Sequence, residues 1–196
     1  MKVKEDNQQL RSVVSKLEEK IDDTDAYERR DCLVISGEQV PAAETGENTV
    51  EVVNRLIKDK LKINLSPTDV STAHRLGRKP VSQAPDRRKI IMKLCRRDLK
   101  KDILYACKQT RPGFFINESL TPTRNTILFA LRKMKRTSDS SVVQGTSTLD
   151  GKVFAWVKSQ GSSRDLRVSV NTKAQLEEFS TKYLGKPLTD FVDDWP

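Results

Sequence analysis

Asp86-Arg87-Arg88-Lys89-Ile90-Ile91-Met92-Lys93-Leu94 is a short run of large apolar residues entered from a basic loop. Ile90, Ile91, Met92 and Leu94 make a short apolar run rich in β-formers, which predicts a strand. Helical spacing takes over immediately afterwards. Asp98 can cap a helix carrying Leu99, Ile103, Leu104 and Cys107 on one face. Pro112-Gly113 ends that helix, and Phe114-Phe115-Ile116 predicts the next strand. Upstream, Pro67 and Asp69 open a strand-like stretch over 70–76, followed by a loop over 77–86 rich in Gly, Pro and Ser. Before it, Asn48 or Thr49 caps a helix with an apolar face of Val52, Val53, Leu56, Ile57 and Leu61. A loop over 41–47 separates that helix from the apolar run Cys32-Leu33-Val34-Ile35, which Gly37 closes. Residues 30–117 therefore read β-α-β-β-α-β, the split βαβ or ferredoxin-like arrangement that RNA-recognition-motif domains use.

The flanks extend an α+β chain. Residues 118–185 read α-β-β-β-α. Thr121-Pro122 begins a helix as cap and first residue, and Ile127, Leu128, Leu131 and Met134 mark its core face. Residues 142–148 and 153–157 pair through an Asp150-Gly151 turn, and residues 166–170 form a third strand. Leu176, Phe179 and Tyr183 mark a closing helix. Residues 186–196 form an acidic tail with Leu188, Phe191, Val192 and Trp195 on one helical face, expected to dock on the body. Residues 1–29 carry heptads: Val3, Leu10 and Leu17 alternate with Asn7, Val14 and Ile21. This is a coiled-coil seam in which Asn7 would help fix register and partner number. The alternative is one amphipathic helix packed on its own domain.

Composition narrows the function. The 196 residues carry a net charge of +9 with 36% hydrophobic residues, and the pI is near 9.5. That combination supports modest cores under a charged surface and favours polyanionic partners. Cys32, Cys95 and Cys107 are odd in number and widely spaced, so neither a disulfide framework nor a zinc site is expected. His74 is the single histidine, and the chain has neither a phosphate-binding glycine loop nor a histidine-based metal or nucleophile motif. No enzyme activity, cofactor or metal is expected. No apolar run approaches the roughly 18 residues of a membrane span.

Positive charge is concentrated. Arg75, Arg78 and Lys79 lie around the loop before the third strand, and Arg87, Arg88, Lys89, Lys93, Arg96 and Arg97 along that strand and into the next helix. Arg124, Arg132, Lys133 and Arg136 follow on the helix after the fourth strand. Guanidinium and ammonium groups bind phosphates through charge-assisted hydrogen bonds and counterion release, without reading sequence. The first and third strands carry no aromatic residue, which argues against base stacking on that sheet. Phe154, Trp156 and Tyr105 could stack on bases, with Phe154 and Trp156 on the same face of one strand, but each is expected in a core.

Several of these motifs together resemble the first open-reading-frame protein of LINE-type non-LTR retrotransposons. They are a coiled coil running into Glu28-Arg29-Arg30-Asp31-Cys32-Leu33-Val34-Ile35-Ser36-Gly37, then Ala73-His74-Arg75-Leu76-Gly77-Arg78 and the basic strand Arg87-Arg88-Lys89-Ile90-Ile91-Met92-Lys93. Ile116-Asn117-Glu118-Ser119-Leu120-Thr121 and Asp150-Gly151-Lys152-Val153-Phe154 follow. The resemblance implies an atypical RNA-recognition motif, a small C-terminal domain, and a homo-oligomer, with a trimer favoured. It also implies binding of RNA and single-stranded DNA as a nucleic-acid chaperone in a retrotransposition ribonucleoprotein particle, in the cytoplasm or the nucleus. The His74–Arg78 loop and the basic strand resemble the family's RNA-contacting region, and Arg124 and Arg132 its basic helix. The acidic, Trp-ended tail has no counterpart in that pattern. A coiled-coil protein–protein adaptor and a domesticated host RNA-binding protein are the alternatives.

Overall fold

Burial alternates along the central strand. Ile90, Met92 and Leu94 are buried, while Ile91 is half-buried and Lys93 exposed, so one face of the sheet carries the core and the other stays open. The computed structural model of the chain describes residues 2–80, 85–137, 142–158, 165–192 and 195; residues 81–84 of the predicted 77–86 loop and 193, 194 and 196 of the predicted tail lie outside them. The fold is α+β, in two units: Arg30–Ser119, and Met1–Arg29 together with Leu120–Pro196. The division at 29/30 and 119/120 lies close to the expected bounds of the middle domain. The N-terminal helix and the tail, expected as separate segments, group with the C-terminal domain.

In the first unit, β1 (Cys32–Ser36), α2 (Thr49–Leu61), β2 (Val70–Arg75), β3 (Ile90–Leu94), α3 (Arg97–Thr110) and β4 (Phe115–Glu118) follow the predicted order. The strands lie in the order β2-β3-β1-β4, each antiparallel to its neighbours. That is the split βαβ topology, each crossover leaving one strand between its ends. Leu33, Ile35, Ile90 and Met92 from the sheet meet Val53 and Ile57 of α2 and Ile103 of α3 in one core. Asn48 caps α2, its side chain accepting from the backbone N–H groups of Val50 and Glu51. Asp98 is not the cap of α3: that position is Arg96, without a side-chain cap bond, and Asp98 lies in the first turn. A carboxylate there still favours the helix by facing its positive end. Cys32 and Cys107 are buried, whereas Cys95 is exposed.

In the second unit, α4 (Pro122–Thr137) precedes β5 (Val143–Leu149), β6 (Lys152–Val157), β7 (Leu166–Ser169) and α5 (Lys173–Leu184). The Thr121 hydroxyl accepts from Arg124 N at 3.2 Å, fulfilling its predicted capping role. β5, β6 and β7 form an antiparallel sheet in that order. Asp150 and Gly151 turn the β5–β6 hairpin with φ of +50° and +77°, the type I′ geometry that such a pair favours. Ile127, Leu131 and Met134 pack on Val153, Ala155 and Val157, with Leu176 and Phe179 closing the core. The tail does dock on this core, through buried Phe191 and half-buried Val192 and Trp195, but as one 3-10 turn, Leu188–Asp190, rather than a helical face.

Helix α1 (Lys2–Arg29) belongs to this second unit and leaves its heptad seam open. Val3, Leu10, Val14, Leu17 and Ile21 are each more than half exposed, and Asn7 is exposed among them. The stripe is therefore not packed on the helix's own domain. Docking uses another face, confined to the last turns, where Ala26 is 2% exposed. A Cβ on Gly151 would stand 3.3 Å from the Ala26 carbonyl oxygen, so the turn glycine also permits the helix to approach.

Candidate nucleic-acid interface

The open face of the four-stranded sheet follows from its register. Lys93 pairs with Cys32 on one side and Thr72 on the other, Ile91 with Val34 and His74, and Phe115 with Ser36. Directly opposed residues share a face, so Lys93, His74 and Phe115 project from the side away from the helices. All three are exposed, as are Lys89 just before β3 and Arg78 and Lys79 just after β2. None of Arg78, Lys79, Lys89 and Lys93 has a hydrogen-bonded or ion-paired partner among the described residues. Phe115 was missed from sequence as a surface aromatic because it sits inside the apolar run Phe114-Phe115-Ile116, where only alternation separates inward from outward.

Other predicted contacts are spent internally. Arg75 ends β2 and its side chain is 4% exposed. Its Nε donates to Glu47 at 2.6 Å and its Nη2 at 2.9 Å, and further bonds reach the carbonyls of Pro41 and Arg88. The bidentate fork places two opposite charges in contact, and this bond holds the Glu47 carboxyl below the usual glutamate range. Arg75 is therefore a structural residue, and the expectation that it contacts phosphate is corrected. Arg88 is similarly engaged, by Asp86 at 2.9 Å and the Gly77 carbonyl at 2.7 Å. Hydrogen bonding to Arg88 lowers the Asp86 carboxyl. Arg96 pairs with Asp98, lowering its carboxyl likewise, and Arg97 pairs with Asp31 at 3.3 Å. Arg96 and Arg97 remain about half exposed, so a phosphate would compete with these carboxylates. Arg87 is exposed and bonds the Glu38 carbonyl. Lys100, within the same basic stretch, is buried against Glu118 at 2.5 Å.

The same sorting applies in the second unit. Arg124 is 3% exposed. Its Nε donates to Asp22 at 2.9 Å, Nη2 donates to Asp23, and Nη1 donates to the Gly151 carbonyl at 3.1 Å. It clasps α1 to the hairpin turn, so it too is corrected from phosphate contact to structure. Arg132 and Arg136 are exposed with no partner among the described residues, and Lys133 is half-buried. Arg132, Arg136 and Lys135 line a cleft of about 470 Å³ whose other wall is Gly145 and Thr146 of β5. Exposed Phe129 precedes Arg132 by three residues on α4. Elsewhere in the unit, Glu18, Glu19, Asp22 and Asp23 of α1 line an acidic cleft with Glu177 of α5. That side would repel phosphates.

Phe154 and Trp156 are not core residues. Val153, Ala155 and Val157 take the buried positions of β6, and the two aromatics face outward, half-exposed. The expectation was wrong because every residue from Val153 to Val157 is apolar, so composition cannot say which alternation faces the core. Tyr105 is also exposed, at 66%.

Among the described residues, no group of three or more His, Cys, Asp or Glu side chains is placed to hold a metal ion, and no helix is long and apolar enough to cross a membrane. No protein-family model matches the chain, and no curated protein matches it.

Proposed function

We propose that the protein is an oligomeric, non-enzymatic binder of single-stranded RNA or DNA that holds strands through their phosphates with low sequence specificity. The carrying observation is that exposed cations without an internal ion pair remain among the described residues, among them Arg78, Lys79, Lys89 and Lys93 on one unit and Arg132, Lys135 and Arg136 on the other. Such groups release counterions on binding phosphate. Self-association through the exposed Val3–Ile21 seam would bury that stripe and multiply weak contacts by effective concentration. A strand held at many weak points can exchange pairing partners, which is the action of a nucleic-acid chaperone. The motif resemblance to retrotransposon proteins points the same way.

Gel-shift titration of random-sequence single strands across a salt series tests this. Affinity should fall steeply with salt, with a slope of about −0.7 per phosphate neutralised, and alike for unrelated sequences. Flat affinity between low and moderate salt would remove the phosphate reading. Absence of binding at near-physiological salt, with self-association intact, would favour an adaptor working through the coil.

A further inference from the structure

We infer that the open face of the β5-β6-β7 sheet is a stacking site for unpaired bases, built from Trp156, Phe154 and Arg167. The inference rests on the single-strand reading above and adds to it a base-binding component.

Register places the three side chains together. Trp156 stands between Gly145 on β5 and Arg167 on β7, and Phe154 between Ser147 and Ser169. The two aromatics thus share the face opposite the buried Val153, Ala155 and Val157. The Arg167 guanidinium lies 3.6 Å from the Phe154 ring centroid and 5.8 Å from that of Trp156, so it lies over Phe154 beside Trp156. Guanidinium planes and aromatic rings both stack on bases. The Trp156 indole is held in place by its Nε1–H, which donates to Ser147 Oγ at 3.2 Å. Its flank is bare because the opposed residue is Gly145, where even a Cβ would come no closer than 3.7 Å to the ring.

Charge identifies the occupant. The paired positions of this face are Gly145, Ser147, Leu149, Lys152, Phe154, Trp156, Arg167 and Ser169. They include two cations and no carboxylate. At Gly145 the face meets the cleft lined by Arg132, Lys135 and Arg136. A strand whose phosphates follow those arginines along the β5 edge would bring its bases over Trp156. Three of the residues paired with the two rings, Gly145, Ser147 and Ser169, are small, and a ring face suits any base and selects none, the pattern of sequence-tolerant single-strand binders. A buried aromatic pair serving only the fold would have no reason to face out while Val153, Ala155 and Val157 fill the core.

The test compares a thymidine oligonucleotide with an abasic oligonucleotide of equal length and charge. The full chain should bind the thymidine strand about tenfold more tightly or better. Trp156→Ala with Phe154→Leu should erase most of that difference and leave abasic binding nearly unchanged. Trp156→Tyr, which keeps a stacking ring, should retain the preference. Trp156 fluorescence read in a Trp195→Phe background should be quenched by the thymidine strand and not by the abasic one, which requires no destabilising change on the sheet. Equal affinity for both strands with unquenched Trp156 overturns the stacking site while leaving the phosphate reading in place. Failure of both strands to bind at low salt overturns both.

Discussion

The two sheets each hide one face under helices and leave the other open, but what they put on the open face differs. The four-stranded sheet offers Lys93, His74 and the half-buried Val34 and Ile91, with one exposed aromatic, Phe115, on its edge strand. The three-stranded sheet offers Trp156 and Phe154 with an arginine laid across them. A lone ammonium group attracts phosphate from any direction and screens away with salt. Stacked rings act only on bases and are far less sensitive to salt. One sheet would contribute charge and the other base contact, so the two should respond to different perturbations.

The largest effect should come from weakening both contributions together by separating the protomers. Leu10→Asp with Leu17→Asp places charges in the seam and should abolish self-association. Strand affinity should then fall about a hundredfold or more through lost avidity, from both sheets alike, read by solution mass measurement and titration. An unchanged mass would mean that the seam does not assemble the protein. Next in size is Arg75→Ala, which leaves Glu47 without its partner and should cost about 3 kcal/mol of stability, measured by denaturant unfolding. Binding by the folded protein should be unaffected, separating the internal cations from those of the open faces.

Lys89→Ala with Lys93→Ala touches only the four-stranded sheet. We expect a few-fold to tenfold loss at low salt, equal for thymidine and abasic strands, and a salt slope shallower by about 1.4. Loss confined to the thymidine strand would erase the contrast between the sheets. The smallest effect is acidic. Glu47 titrates below its ordinary value in the folded chain because it accepts from Arg75. Its stabilising contribution is therefore complete above the ordinary glutamate value of about 4.3 and is lost as pH falls through the lower folded value. Thermal melts below pH 4 should show that decline, and Glu47→Gln should flatten it.

The order and type of elements were legible because apolar spacing changes from a run to a three-four pattern at each boundary, as between Ile90–Leu94 and Leu99–Cys107. Caps were legible where a side chain bonds its own neighbourhood, as at Asn48 and Thr121. The binding residues were legible only as a pool of cations. Which of them face solvent depends on acids far away in sequence: Glu47 lies 28 positions from Arg75, and Asp22 lies 102 from Arg124. No local pattern signals such a pair. The outward aromatics were hidden for a different reason. In Val153-Phe154-Ala155-Trp156-Val157 both alternations are apolar, and the bulkier set turned out to be the surface one.

The Arg124 clasp has a mechanical consequence. Because one guanidinium grips two adjacent aspartates on α1 and the hairpin carbonyl at once, the helix cannot swivel about its axis without breaking that grip. Any bundle zipped along the Val3–Ile21 stripe would fix the azimuth of every attached three-stranded sheet, so the spacing of its aromatic platforms around the stalk would be set at the hairpin turn.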